Sequence, residues 1–179
     1  MRIIMEQKLP ILVAQAKNGD AHAFATLYEN VYKDLYRFAY CTLKDAHLAE
    51  DVVSDSVLCA YENIHKLRKN ESFRSWLFQI TANECKKQFR IQKKVVPIEN
   101  KDFPERSEHN TDPAGHLLLK QAFNILNEEE RLAIGLSVYA GYSGREIARF
   151  LRKKEGTVRS MKSRALEKMK QFLEVTENE

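Results

Sequence analysis

Hydrophobic residues recur every three or four positions along most of the chain, and this spacing predicts amphipathic α-helices. In the first half we expect helices at 9–17, 20–43, about 45–64 and from 73 onward. Asp20 is suited to cap the second of them, because its carboxylate can accept from free amides at a helix N-terminus. No segment alternates hydrophobic and polar residues as a strand would, so the fold class is predicted to be all-α.

The helical pattern stops between residues 96 and 113, where prolines and acidic residues take its place. Prolines stand at 97, 104 and 113, and five carboxylates lie among them. This composition predicts an acidic linker between two small helical domains, which we assign to residues 1–95 and 114–179.

Two predicted helices open the second domain. The first resumes at Ala114, and its apolar side consists of Leu118, Ala122, Ile125 and Leu126. The second is capped by Asn127, with Glu130 at the spacing of a capping box. Its pattern predicts one buried side, made of Leu132, Leu136 and Tyr139.

Residues 143–170 predict two short amphipathic helices joined by a tight turn. Ser143 and Glu146 have capping-box spacing at the start of the first helix, and Gly156 is expected in the turn. Each helix has one apolar side, formed by Ile147, Phe150 and Leu151 in the first and by Val158, Met161, Ala165 and Met169 in the second. This is a helix-turn-helix pattern, whose second helix can lie in the major groove of duplex DNA.

The charge of this segment agrees with DNA binding, since cations that neutralise phosphates release counterions. Ten basic residues face three acidic ones between 141 and 170. A solvated basic surface on an ordinary helical hairpin is the alternative, and the pattern alone does not exclude it.

A second candidate nucleic-acid surface follows the aromatic residues Phe73 and Trp76. The rest of their helix is basic, with Lys86, Lys87, Arg90, Lys93 and Lys94 against a single Glu84. Aromatic rings that stack on bases, beside cations that pair with phosphates, are typical of single-strand binding. The alternative is that both aromatics belong to the core.

The third predicted helix has an acidic beginning, with Glu50, Asp51 and Asp55. Carboxylates near a helix N-terminus complement the helix dipole, which explains Glu50 and Asp51. The dipole explains Asp55 less well, because it lies one turn further on.

Composition excludes several other classes of function. The net charge is only +4 over 179 residues, so its uneven distribution is more informative than its sum. The three cysteines have no zinc-ligand spacing, and no phosphate-binding glycine loop or nucleophile–base pair is visible, so we expect no metal, no cofactor, no small-molecule substrate and no enzyme. Without a signal sequence or a membrane-length apolar run, the protein is expected in the cytoplasm.

Together these segments resemble the bacterial RNA polymerase sigma factors of the extracytoplasmic-function (ECF) type. The first domain resembles the family's region two in the segments FATLYENVYKDLYRFA, AEDVVSDSVLCAYENI and FRSWLFQITANECKKQFR. The second resembles region four in LNEEERLAIGLSVYAGYSGREIARFLRKKEGTVRSMKSRALEKM. The resemblance covers nearly the whole chain, and the order and spacing of the segments make it specific.

The resemblance implies partners as well as a fold: core RNA polymerase, promoter DNA, and an anti-sigma factor that can be membrane-anchored. It implies that Glu50, Asp51 and Asp55 bind the coiled coil of the polymerase's largest subunit. The melted minus-ten strand would be read by Asn70, Phe73, Trp76, Asn83, Lys86, Lys87 and Arg90. The duplex minus-thirty-five element would be read by Thr157, Arg159, Ser160, Ser163 and Arg164. The helices over 117–139 would bind the polymerase flap, and the acidic linker would run through the polymerase's RNA channel.

The chain departs from the family pattern at a few positions. Ser54 stands where a Gln is usual, and Met161 stands where an Arg is common. Lys153, Lys154 and Glu155 replace the usual residues before Gly156, including a Ser cap. A helix-turn-helix regulator that is not a polymerase subunit is the alternative function, but it leaves the acidic helix, the aromatic-basic helix and the linker unexplained.

Overall fold

The computed structural model describes residues 2–93 and 121–176. Within these two ranges the regular elements are α-helices and 3₁₀ turns, with no strand. The first range contains α1 (Arg2–Lys17), α2 (Ala21–Glu29), α3 (Tyr32–Leu43), α4 (Ala46–Asn63) and α5 (Phe73–Gln92). The second contains a helical turn at 121–124, α6 (Glu128–Val138), α7 (Gly144–Leu151) and α8 (Glu155–Thr176). The predicted linker and the predicted helix start at Ala114, with Leu118, lie outside the described residues.

The single helix expected over 20–43 is wrong, because the structure divides it into α2 and α3. Asp20 caps α2 as predicted, accepting from the amides of His22 and Ala23. At the break, the Asn30 side chain donates to the Thr26 carbonyl at 2.6 Å, and the Val31 amide bonds Tyr28 instead of residue 27. An Asn that competes for backbone carbonyls interrupts a helix without any Gly or Pro to mark the site.

The break leaves the buried face intact. The spacing of Phe24, Leu27, Val31, Leu35 and Phe38 predicts one apolar side, and all five are buried. They pack with α4 and α5, whose largest buried side chains are Phe73, Leu77 and Phe78. The polar sequence KLRKNES at 66–72 predicts a loop. The structure places a 3₁₀ turn at each end of it, Ile64–Lys66 and Asn70–Ser72, and Leu67 between them is buried in the core.

Helix α6 is buried on all sides rather than on one. Every residue from 130 to 136 is buried, because α3 and α5 lie on one side of α6 while α7 and α8 lie on the other. The predicted capping box is confirmed: the Glu130 amide donates to the Asn127 side chain, and the Asn127 amide donates to the Glu130 carboxylate. Upstream, Ala122 and Leu126 are buried as expected, but Ile125 is exposed and Phe123 takes its place in the core.

The core is continuous between the two halves of the chain. Leu132 and Leu136 of α6 belong to the same buried cluster as Phe38 of α3 and Phe78 of α5. A second, smaller cluster under α8 contains Ala122, Phe123, Leu126, Ile134, Ala165 and Met169. The two domains predicted from the pattern are therefore packed together, and α6 is the element that joins them.

Candidate nucleic-acid interface

The helix-turn-helix consists of α7 and α8. Ser143 and Glu146 form the predicted capping box of α7, in which the amides of both residues bond the partner's side chain. These bonds from Ser143 lower the pKa of the Glu146 carboxyl. The turn is 152–154, and Arg152 occupies the left-handed region at φ 55°, where Gly is favoured. Gly156 does not lie in the turn as expected, because α8 already begins at Glu155.

Helix α8 presents the predicted side chains to solvent. Its buried side consists of Val158, Met161, Ala165 and Met169, as the spacing predicts. All five proposed duplex-reading residues are exposed: Thr157, Arg159, Ser160, Ser163 and Arg164. The Ser160 hydroxyl donates to the Gly156 carbonyl, so it remains available only as an acceptor. Met161 is 7% exposed and lies on the buried side of α8, so it does not share the solvent-facing side of these five residues.

Two lysines of α8 fix it to α6. The Lys162 ammonium donates to the Ser137 hydroxyl at 2.6 Å, and Lys168 pairs with Glu130 at 2.8 Å. Burial disfavours the ionised Glu130, but the Lys168 bond and the Asn127 amide outweigh it and lower the pKa of that carboxyl. Because α6 is itself held in the core, these bonds set the orientation of the basic face of α8.

The second candidate surface lies along α5. Trp76, Asn83, Lys87 and Arg90 follow one another at spacings of seven, four and three, so they share one face of the helix. Asn83, Lys87 and Arg90 are exposed, and Trp76 is half-buried against Phe73. Lys87 pairs with Glu84 at 3.1 Å, an exposed contact that a phosphate can replace at little cost.

Lys86 lies at the edge of that face and is already engaged. Its ammonium is 4.7 Å from the centre of the Phe150 ring and 3.5 Å from the Phe150 carbonyl oxygen. Partial burial, with Arg152 and Arg90 nearby, lowers the pKa of Lys86. This contact links α5 to α7, the first helix of the helix-turn-helix.

The structure corrects the expectation for Phe73 and qualifies that for Asn70. Phe73 is completely buried, and its ring meets Phe24 edge-on at 6.2 Å, so it cannot stack on a base. The alternative weighed for this aromatic, a place in the core, is the observed one. The Asn70 side chain accepts from Lys17 at 2.6 Å and donates to the Pro10 carbonyl at 3.1 Å, so it fastens the loop to α1.

The acidic residues of α4 form an exposed face. Asp45 caps the helix, while Glu50, Asp51 and Asp55 point into solvent with no ion pair to any described residue. Ser54 is exposed between them, and Leu58 is 60% exposed one turn further along. A row of exposed carboxylates that ends in an apolar side chain is complementary to a partner protein whose surface is basic and has an apolar patch.

Some side chains near these surfaces were not selected from the sequence. Leu58 is given no role by the sequence pattern, and nothing in its local sequence indicates its exposure. Arg68 and Lys69 are exposed beside the start of α5, and Arg145 and Arg149 are exposed on α7. The positive charge of these four residues could have indicated them from the sequence, because each one extends a basic surface that the sequence predicts.

Among the described residues no group of three His, Cys, Asp or Glu side chains is placed to hold a metal ion. Cys85 is buried, and burial raises the pKa of its thiol far above the usual range, as expected for a packing residue. Within 2–93 and 121–176 no helix combines the length and apolarity needed to cross a bilayer.

The described residues combine a helix-turn-helix with a second basic helix and a separate acidic helix, an arrangement typical of DNA-binding proteins. Two sequence-family models match the chain: Sigma-70 region 2 over residues 27–95, and Sigma-70, region 4 over residues 116–169. The ECF RNA polymerase sigma factor SigL of Mycobacterium tuberculosis is 30% identical over 154 residues, which cover 83% of this chain and 87% of SigL. SigM of the same organism is 28% identical over 162 residues, covering 90% of this chain and 83% of SigM.

Structural comparison agrees. RpoE of Bartonella quintana, solved in complex with the anti-sigma factor NepR, superposes with a TM-score of 0.66 at 25% identity, covering 85% of this chain and 97% of RpoE. The chain belongs to the ECF RNA polymerase sigma factors. It is therefore a non-enzymatic initiation factor that binds core RNA polymerase and promoter DNA. A regulator independent of polymerase would leave the region 2 match without a role.

Proposed function

We propose that this sigma factor uses three separate surfaces in initiation. The exposed face of α8 reads the duplex upstream element through Thr157, Arg159, Ser160, Ser163 and Arg164. The face of α5 that carries Trp76, Asn83, Lys87 and Arg90 holds the separated downstream strand, together with Lys86 once that side chain is free. The carboxylates of Glu50, Asp51 and Asp55 bind a basic surface of core polymerase.

The observation that carries this proposal is the segregation of exposed charge. Glu50, Asp51 and Asp55 expose their carboxylates on α4, whereas Lys87 and Arg90 are exposed on α5 and Arg159 and Arg164 are exposed on α8. Opposite signs on separate faces suit two partners of opposite charge, because a mixed surface would repel each partner in part.

The linker and the boundaries belong to the same proposal. We assign region two to 1–95 and region four to 114–179, with 96–113 as an acidic segment that passes through the polymerase's RNA channel. The likeness to RpoE bound to NepR supports control by an anti-sigma factor. A protein that works with RNA polymerase acts in the cytoplasm.

The polymerase surface is tested by reversing its charge. Asp51 and Asp55 lie four residues apart on one face of α4, and neither caps the helix. The double variant Asp51→Lys, Asp55→Lys is expected to lose co-purification with core polymerase while its circular dichroism stays helical. The control, Glu29→Lys with Glu167→Lys, makes the same change in net charge at two exposed positions outside α4. Undiminished core binding by the α4 variant would contradict the assignment.

A further inference from the structure

The loop between α4 and α5 is fixed to the rest of the protein at two nearby points. The Leu67 side chain is buried in the core, and the Asn70 side chain bonds to α1. Arg68 and Lys69, which lie between these two points, are exposed. The backbone of the two cations is therefore held on both sides, while their side chains remain accessible.

Both ends of the Asn70 amide are used in the contact with α1. The Lys17 ammonium donates to Asn70 Oδ1 at 2.6 Å, and Asn70 Nδ2 donates to the Pro10 carbonyl at 3.1 Å. An ammonium can only donate, so Lys17 determines which end of the amide faces it. Pro10 and Lys17 are about two helical turns apart on one face of α1, and the Asn70 side chain bridges these turns.

The core holds the α1 side of this bridge in place. Val13 and Ala16 are buried, and Ala16 directly precedes Lys17. Lys17 is the last residue of α1, so its charge also complements the helix dipole. The dipole alone would give Lys17 a role that does not depend on Asn70, and this difference can be tested.

Backbone bonds connect Asn70 to the start of α5. The Ser72 amide donates to the Lys69 carbonyl at 3.0 Å, and the Phe73 amide donates to the carbonyl of Asn70. Phe73 is completely buried and begins α5, and its ring centre lies 6.4 Å from that of Trp76. A displacement of Asn70 would therefore move the exposed cations of the loop relative to the face of α5 that carries Trp76.

The family match gives α1 no role in this surface. The region 2 match begins at residue 27, whereas α1 ends at Lys17. The loop and α5 lie inside the matched range. The bridge therefore adds a residue from outside the matched range to a surface within it.

We infer that Lys17 is a positioning residue for the separated downstream strand. Through Asn70 it holds the loop so that Arg68 and Lys69 contact phosphates of the strand whose bases lie against Trp76. Cations beside an aromatic ring suit single-stranded DNA, because they pair with phosphates while the ring stacks on a base. Lys17 itself does not touch the DNA. The role in DNA binding rests on the proposed function of α5, whereas the fixing of the loop does not.

The test compares Lys17→Met with Asn70→Ala in the holoenzyme. Both substitutions remove the bridge, but only Lys17→Met removes a charge. The probe is a fork template with a duplex upstream element and a single-stranded downstream element, taken from a promoter that the holoenzyme selects. Each phosphate contact on single-stranded DNA contributes about 0.7 to the log–log slope of affinity against salt concentration. We expect both variants to flatten this slope equally, by about 1.4, because Arg68 and Lys69 are displaced together.

Matched variants control for charge and for the identity of the donor. Lys8→Met removes one positive charge from an exposed position of the same helix and should leave the slope unchanged. Lys17→Arg keeps a donor for Asn70 and should keep most of the slope. Lys17→Met combined with Asn70→Ala should flatten the slope no more than either alone, because both remove one bridge. Circular dichroism and thermal unfolding show whether each variant stays folded.

Three results would overturn the inference. The first is an unchanged slope in Asn70→Ala. The second is a loss of about 0.7 in Lys17→Met alone, which would show a direct phosphate contact by Lys17. The third is an additive loss in the double variant, because Asn70 would then contact DNA independently of Lys17.

Failure of the proposed function would look different. If removal of the single-stranded segment from the template does not weaken binding by wild type, the strand does not lie on α5, and the role of Lys17 in DNA binding is lost with it. Amide hydrogen exchange of the free protein then tests the fixing of the loop by itself. Faster exchange of the Ser72 amide in both Lys17→Met and Asn70→Ala would show that the bridge holds the loop, and unchanged exchange would contradict it.

Discussion

Glu130 connects the recognition helix to the core, and the contribution of its charge to the free energy of unfolding can be measured. Its carboxylate pairs with Lys168 of α8 at 2.8 Å and accepts the Asn127 amide at the start of α6. Glu130→Gln keeps an oxygen for the amide and removes only the charge. The side chain of Glu130 is 6% exposed, but that of Lys168 is 47% exposed, so solvent screens the pair. We expect a loss of about 1 kcal/mol in the free energy of unfolding at pH 7.

The pH dependence distinguishes the charge from other effects of the substitution. The pKa of Glu130 is lowered in the folded protein, so the unfolded chain binds a proton at higher pH than the folded one. The stabilisation is therefore complete above the ordinary carboxyl pKa of 4.5 and is lost as the pH falls through the lowered folded value. Urea titrations of both proteins should converge towards acid pH.

Glu129→Gln removes an exposed carboxylate that pairs with Lys153 at 3.0 Å, and it is expected to cost less than about 0.5 kcal/mol. A stability difference between wild type and Glu130→Gln that stays constant from pH 7 into the acid range would show that charge is not the cause. The account of how α8 is anchored would then be wrong.

Two further predictions concern the backbone and the core. Arg152→Gly should raise the free energy of unfolding by about 0.5–1 kcal/mol, because Gly adopts the left-handed conformation without strain. The control Arg149→Gly, inside α7, should lower it by about 1 kcal/mol, and a destabilised Arg152→Gly would contradict backbone strain at this residue. Phe73→Ala should cost about 3–5 kcal/mol through a core cavity, while Trp76→Ala, at a half-buried position, should lose promoter opening with a smaller change in stability. Equal stability losses for the two would remove the distinction between a core ring and a surface ring.

Local features of the fold could be predicted from the sequence. The caps at Asp20, Asn127 and Ser143 are confirmed, because each depends on residues within one helical turn. The buried sides of α3 and α8 are confirmed for the same reason, since helical spacing alone decides which residues share a face. The helix break at Asn30 was missed because one side-chain bond to a nearby carbonyl caused it, and Asn occurs in many unbroken helices.

Contacts between distant segments could not be predicted from the pattern. The burial of α6 on every side follows from the docking of the two halves, and Gly135 and Arg131 are ordinary helix residues until Phe38 and Thr42 are placed beside them. The candidate site divides in the same way. Exposed charge on α4 and α8 could be expected from sequence, but the burial of Phe73 and the covering of Lys86 depend on tertiary packing.

The central claim is that this chain directs core polymerase to a promoter and holds one strand after melting. Permanganate footprinting measures this most directly, on promoter fragments that the holoenzyme selects from genomic DNA. We expect thymines of the downstream element to become reactive with wild type plus core polymerase. Asn83→Ala should lose this reactivity while still binding duplex, and Arg159→Ala should lose duplex binding as well. Tight, specific duplex binding by the protein alone, with no melting of any fragment in the presence of core polymerase, would contradict the account.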